Sequence, residues 1–148
     1  MKNLPNVRLF LRLMVDPGWA PAGVAAAFLV LVATGLGGRY DYVFHAAGGA
    51  AVAYFFWRCA ALVPALSQRV QGGTRPVFAL AGSCVVAVLW EFAEFGADRW
   101  LGFTLQGGIL ETLRDLAFGA LGAAVVCVLV GLIGRRKQSQ AADAAPDD

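Results

Sequence analysis

The sequence predicts an all-α fold: an integral membrane four-helix bundle with an N-terminal interfacial helix and a disordered C-terminal tail. Three observations predict it. Of 148 residues, 59% are hydrophobic and 15% charged, and the mean hydropathy of +0.65 is too apolar for a soluble core of this size. Four apolar segments run roughly from Trp19 to Leu36, Val43 to Leu66, Val77 to Ala97 and Ile109 to Ile133. At a rise of about 1.5 Å per residue, each suits a hydrocarbon core of about 30 Å. The connections are short, so successive helices should pack as antiparallel neighbours, with no second domain and no internal repeat.

The elements follow in order. Residues 1–18 form a cytoplasmic or interfacial amphipathic segment, in which Arg8 and Arg12 share a helical face among Leu and Phe until Asp16-Pro17 breaks the run. The first apolar segment follows basic residues as a signal peptide would. It is longer than an ordinary h-region, and no small-x-small site precedes a polar domain, so it reads as a retained span. Pro64 ends the second helix near its inner side. Between the third and fourth spans lies RWLGFTLQGGI, itself apolar, with Trp100 as an interfacial anchor. The bundle occupies 19–134, and residues 135–148 are a basic cluster and then a polar, Ala-rich tail that reads as disordered.

Orientation follows from the basic residues. With the N terminus inside, the cytoplasmic segments hold Lys2, Arg8 and Arg12, then Arg69 and Arg75, then Arg135, Arg136 and Lys137, against Arg39 and Arg99 outside. The positive-inside rule therefore places both termini in the cytoplasm. The net charge of +2 reports this topology and does not point to nucleic acid. Cys59, Cys84 and Cys127 fall inside apolar spans with no CxxC, which argues against a disulfide framework or a zinc knuckle. A single His without CxxCH argues against haem, and Phe55, Phe56 and Trp57 read as packing or interface residues.

The ionisable residues within the spans gather at one side. Asp41 and His45, then Glu91, Glu94 and Asp98, then Glu111, Arg114 and Asp115 all lie at the outer ends of the second, third and fourth spans. Their separations of three and four residues put them on one face of each helix. Small residues continue these stripes inward: Gly48, Gly49 and Ala53; Ala87 and Ser83; Gly119, Gly122 and Ala123. In lipid, small residues let backbones approach closely, so the acids should point into the bundle and toward one another. An unpaired charge at mid-membrane costs about 2.5–3.5 kcal/mol on insertion scales, and like charges disfavour one another's ionisation. Bound cations, shared protons, Arg114 and Arg39, or water at the outer surface are the candidates for neutralising them. Gln106, Gly107 and Gly108 stand before the fourth helix, where free N–H groups and the dipole favour an anion such as a phosphate headgroup.

The series DYVFH, WEFAEF and LQGGILETLRDLAFGALGA resembles the YjdF-like family of small bacterial inner-membrane proteins, and more distantly the VanZ-like family. The resemblance covers roughly Tyr40 to Ala123. The family's Asp and His four apart fall on Asp41 and His45, its Glu-x-x-Glu on Glu91 and Glu94, its Gln-Gly on Gln106 and Gly107, and its two acids four apart on Glu111 and Asp115. The resemblance implies a multi-pass protein of the bacterial inner membrane and supplies no reaction.

Two functions fit these residues. The first is an enzyme acting on a lipid headgroup or a lipid-linked envelope intermediate. Oxygen and nitrogen donors from three helices suit Mg²⁺, Mn²⁺ or Zn²⁺, which would activate water or polarise a phosphoryl group. Glu91, Glu94 and Asp115 are the foremost ligand candidates, Glu111 and Asp41 further ones, and His45 a ligand or base; Glu91 is the carboxylate base, and Gln106 and Gly107 the headgroup contacts. Asp41, one turn before His45, would fix its tautomer. The alternative is a non-enzymatic binding or assembly module, in a VanZ-like envelope or antibiotic-tolerance role, whose acids form a structural or proton-sharing network. Membrane lipids are the expected partners. Transport fits less well, because four spans leave little room and the inner halves hold only Arg58 among charged groups; a homo-oligomer would relax that objection.

Overall fold

A computed structural model describes the backbone of residues 4–143 and the side chains of residues 7–36 and 40–134. Among the described residues six helices follow one another: α1 (Leu4–Val15), α2 (Trp19–Ala33), α3 (Gly37–Leu62), α4 (Pro64–Arg69), α5 (Thr74–Leu101) and α6 (Ile109–Asp143). No strand occurs among the described residues. The long helices α2, α3, α5 and α6 pack as the expected all-α bundle, with α3 against α5, α6 and α2.

The local sequence explains where the helices stop. Gly35 takes a left-handed conformation, φ 75°, while its N–H donates to the Val32 carbonyl at 3.1 Å and that of Leu36 donates to Leu31 at 2.9 Å. This pair of bonds is a Schellman motif, which terminates α2. Val63, extended because Pro64 follows, ends α3, and Pro64 opens α4 at a position that needs no N–H. The expected stop at Pro64 is thus borne out, and the second long helix ends at Leu62.

Among the described residues, two or three candidate spans stand out by length and composition. By length and composition, α5 and α6 as far as Gly134 could each cross a membrane, and α1 with α2 forms a third candidate only as one span bent by 54°. The 15 residues of α2 reach about 22 Å, short of a hydrocarbon core, because the Gly35 turn arrives early. With 26 residues α3 is long enough, but Asp41, His45, Arg58 and its glycines dilute its apolarity. The bend leaves α1 off the axis of α2, as an interfacial helix requires, and Arg58 pairs with Asp16 at the joint. At the far end, α6 is described as helix as far as Asp143. Arg, Lys, Gln and Ala are good helix formers, and nothing in that stretch breaks the ladder. Residues 144–148 of the expected tail, the first three residues, and the side chains of Arg39, Arg135, Arg136 and Lys137 lie outside what is described.

The bundle is packed with small groups and coated with large ones. Ala53, Ala79 and Ala123 are fully buried, whereas Val85, Phe92, Leu121, Val125, Val128 and Leu132 are exposed. An apolar exterior of this kind is suited to lipid. The predicted small-residue seam lets α3 and α6 touch backbone to backbone: a β-carbon added at Gly122 would stand 2.8 Å from the carbonyl carbon of Ala46. On the α5 side, the Ser83 hydroxyl donates to the Gly49 carbonyl at 2.9 Å, satisfying a buried hydroxyl in the apolar interior.

Candidate functional site

The seam sets the distance at which the polar stripes meet. Because α3, α5 and α6 approach closely through Gly, Ala and Ser, side chains one or two turns nearer the same bundle end converge. Asp41, His45, Glu91, Glu94 and Asp115 are all buried there, Asp115 only 3% and Glu91 only 7% exposed. Ligand-type atoms of Asp41, His45 and Asp115 all lie within 4.8 Å of one another, and so do those of His45, Glu91 and Glu94. His45 belongs to both groups through different edges of its ring. Its Nε2 is 3.5 Å from Asp41 Oδ1, and its Nδ1 is 3.6 Å from Glu91 Oε1. Both separations exceed those of a good hydrogen bond.

Three of the carboxylates have further partners. The indole N–H of Trp90, one turn before Glu94, donates to Glu94 Oε1 at 2.7 Å. The Gln106 side-chain amide donates to the Glu91 carbonyl at 3.0 Å and reaches Glu91 Oε2 at 3.5 Å. Arg114 Nε is 3.4 Å from Asp115 Oδ1. Glu91 Oε1 is shielded from solvent and has no hydrogen-bond partner among the described residues. A buried carboxylate oxygen without a partner is costly, and this one faces His45.

The remaining sequence candidates stand apart from this cluster. Glu111 is half-buried: its Oε2 accepts the N–H of Gly107, and its Oε1 is 3.3 Å from Arg114. Gly107 thereby gives its donor to Glu111, and Gln106 serves as a tie onto Glu91. Asp98 accepts the backbone N–H groups of Leu105 at 2.7 Å and Gln106 at 2.9 Å, so it shapes the loop between α5 and α6. Two features were missed from the sequence. The Trp90 bond has a legible signal, since Trp90 and Glu94 are four apart; the Gln106 tie, made across a loop, has none.

Beside the cluster, α2, α3 and α5 enclose a cleft of about 210 Å³. Its lining is apolar except for His45 at one end and Ser83, whose hydroxyl donates to Gly49.

The family profile described as Predicted membrane protein (DUF2238) matches residues 37–136. The chain belongs to this family. The YjdF-like resemblance is to the same family, and the matched region begins at the start of α3 and takes in all five clustered residues. Helix α2, which walls the cleft, precedes it. No curated protein and no solved structure matches the chain.

Proposed function

We propose that this DUF2238 protein binds a divalent cation, Mg²⁺, Mn²⁺ or Zn²⁺, between α3, α5 and α6 and uses it on a lipid headgroup or lipid-linked envelope intermediate. The observation that carries the reading is the buried Glu91 Oε1, unpartnered and 3.6 Å from His45 Nδ1. Four carboxylates and one imidazole within so small a volume match the hard-to-borderline donors these ions take, and a cation there would relieve the mutual repulsion of the acids. The bound ion would polarise a phosphoryl oxygen or the attacking water, and Glu91 or His45 would accept the water's proton. Trp90 and Gln106 support the site by orienting Glu94 and Glu91. In this reading the chain sits in a bacterial inner membrane with both termini in the cytoplasm and the site facing the periplasm.

The test is elemental analysis of the detergent-purified chain. Wild type is expected to carry a stoichiometric divalent ion that Glu94→Gln and Asp115→Asn lose. Metal-free protein that binds none of the three ions on titration would overturn the reading.

A second reading is favoured by the same Trp90 and Gln106 bonds, which tie acids into the bundle: a non-enzymatic binding or assembly module whose acids are a structural or proton-sharing network. It expects those variants to change thermal stability or subunit assembly with no ion released.

A further inference from the structure

We infer that the cleft between α2, α3 and α5 holds the headgroup-proximal part of one hydrocarbon chain of a membrane lipid, with the polar end of that lipid at His45. This rests on the reading of the acidic cluster as a binding site and names the substrate class that site would take.

The cleft has two chemically different ends. Inward, Val24 and Ala25 of α2 face Val86 and Ala87 of α5 across a floor of Gly48 and Val52. Ser83 adds no free donor there, because its hydroxyl donates to Gly49. Outward, His45 lines the cleft and also belongs to both ligand groups of the cluster. One imidazole is therefore the shared wall of an apolar slot and an acidic site.

Size and surroundings select the occupant. Apolar cavities of about 150 Å³ stay dry and accept an apolar molecule the size of benzene, and this one is larger at about 210 Å³. From His45 to Val52 the floor extends about 10 Å along α3, an elongated shape that suits a chain better than a ring. Val24, Ala25, Gly48, Val52, Val86 and Ala87 offer no side-chain hydrogen bond that would recognise a polar solute. In a bundle coated with exposed Val, Leu and Phe, the surrounding medium is itself lipid hydrocarbon, so the slot is continuous in chemistry with what bathes it.

The placement of Trp90 strengthens the link. Its ring lines the cleft and meets Phe28 edge to face at 5.4 Å, while its N–H holds Glu94 of the cluster. A chain against that ring and a headgroup at His45 would be held by neighbouring parts of one structure.

The test reconstitutes the full chain into phosphatidylethanolamine and phosphatidylglycerol vesicles containing traces of phosphatidylglycerol with a diazirine on one acyl chain. After irradiation, adducts are located by peptide mass spectrometry. A mid-chain diazirine is expected to label Val52 and Val86, and one near the acyl carbonyl to label Phe44 or Phe28. Ala25→Phe and Ala87→Phe, which fill the cleft from opposite walls, should abolish that labelling and leave the labelling of outward-facing Val85 and Val125 intact, while a cooperative thermal transition of each variant in detergent shows that the bundle has formed. Equal labelling of Val52 and Val125, labelling unaffected by either variant, or a reversed order of the two probes would overturn the inference. Ion content measured on the same samples separates the two claims: cleft labelling without an ion removes the cation and keeps the lipid, and an ion without cleft labelling does the reverse.

Discussion

Gly49 of α3 and Gly119 of α6 are in backbone contact, close enough that a β-carbon on Gly49 would lie 2.7 Å from the Gly119 carbonyl carbon and overlap its oxygen. The whole polar cluster depends on this approach, because it sets the gap between the helices that carry Asp41, His45 and Asp115.

Gly49→Ala should therefore destabilise the bundle by about 3 kcal/mol, the upper end for overpacking, since the obstructing atoms are backbone and cannot rotate away. Gly131→Ala meets nothing within 4 Å and should be neutral or slightly stabilising. Thermal unfolding of both variants in detergent checks the contrast. Equal effects would show that α3 and α6 do not touch there.

Cation binding should weaken as pH falls. Carboxylates and imidazole bind a metal in their deprotonated forms, so protons compete for the same atoms and binding releases them. Isothermal titration in two buffers of different ionisation enthalpy, at pH 7.5 and then at pH 5.5, should reveal proton release and lower affinity at the acid value. Unchanged affinity over that range would count against His45 and the acids as ligands.

Trp90→Phe keeps the ring in the cleft and removes the N–H that bonds Glu94 at 2.7 Å. Loss of such an orienting partner costs about 10–100-fold in metal affinity. A Mn²⁺ titration followed by electron paramagnetic resonance measures it, and wild-type affinity would assign that hydrogen bond to stability alone.

Asp98→Ala removes the acceptor for the Leu105 and Gln106 N–H groups. Hydrogen bonds to a charged acceptor contribute about 1.5–3 kcal/mol each, although water will replace part of this at a half-buried loop. The loop that carries Gln106 to Glu91 should loosen, and hydrogen exchange at Leu105 and Gln106 should accelerate. Asp98→Asn retains one acceptor oxygen and should show an intermediate effect.

The contrast between Asp98 and Glu94 shows what helical spacing conveys and what it leaves out. Four-residue spacing correctly put Asp41 with His45, and three-residue spacing put Glu91 with Glu94, because side chains one turn apart share a face. The same rule extended the stripe to Asp98 and Glu111, yet nearby backbone N–H groups engage both carboxylates. A face is legible from sequence; competition from a loop that folds back is not. The small-residue seam was legible for a related reason, since glycine spacing on α3 and α6 matches the helical repeat. The cleft was not, because an unfilled space depends on where α2 leans, and α2 stops sooner than its apolar run suggested, at Gly35.

Trp90 also gives the molecule an optical reporter of its own. The indole has its ring in an apolar cleft and its N–H on an acid of the cluster, so its emission should respond to what enters either compartment. The chain's other tryptophans are Trp19, Trp57 and Trp100. Trp19 and Trp100 are exposed, and Trp57 lies under the Arg75 guanidinium, 4.0 Å from ring centroid to cation. With those three replaced by Phe, the remaining fluorescence would report the junction alone, with a blue shift when hydrocarbon packs against the ring and a change in intensity when Glu94 turns to a cation.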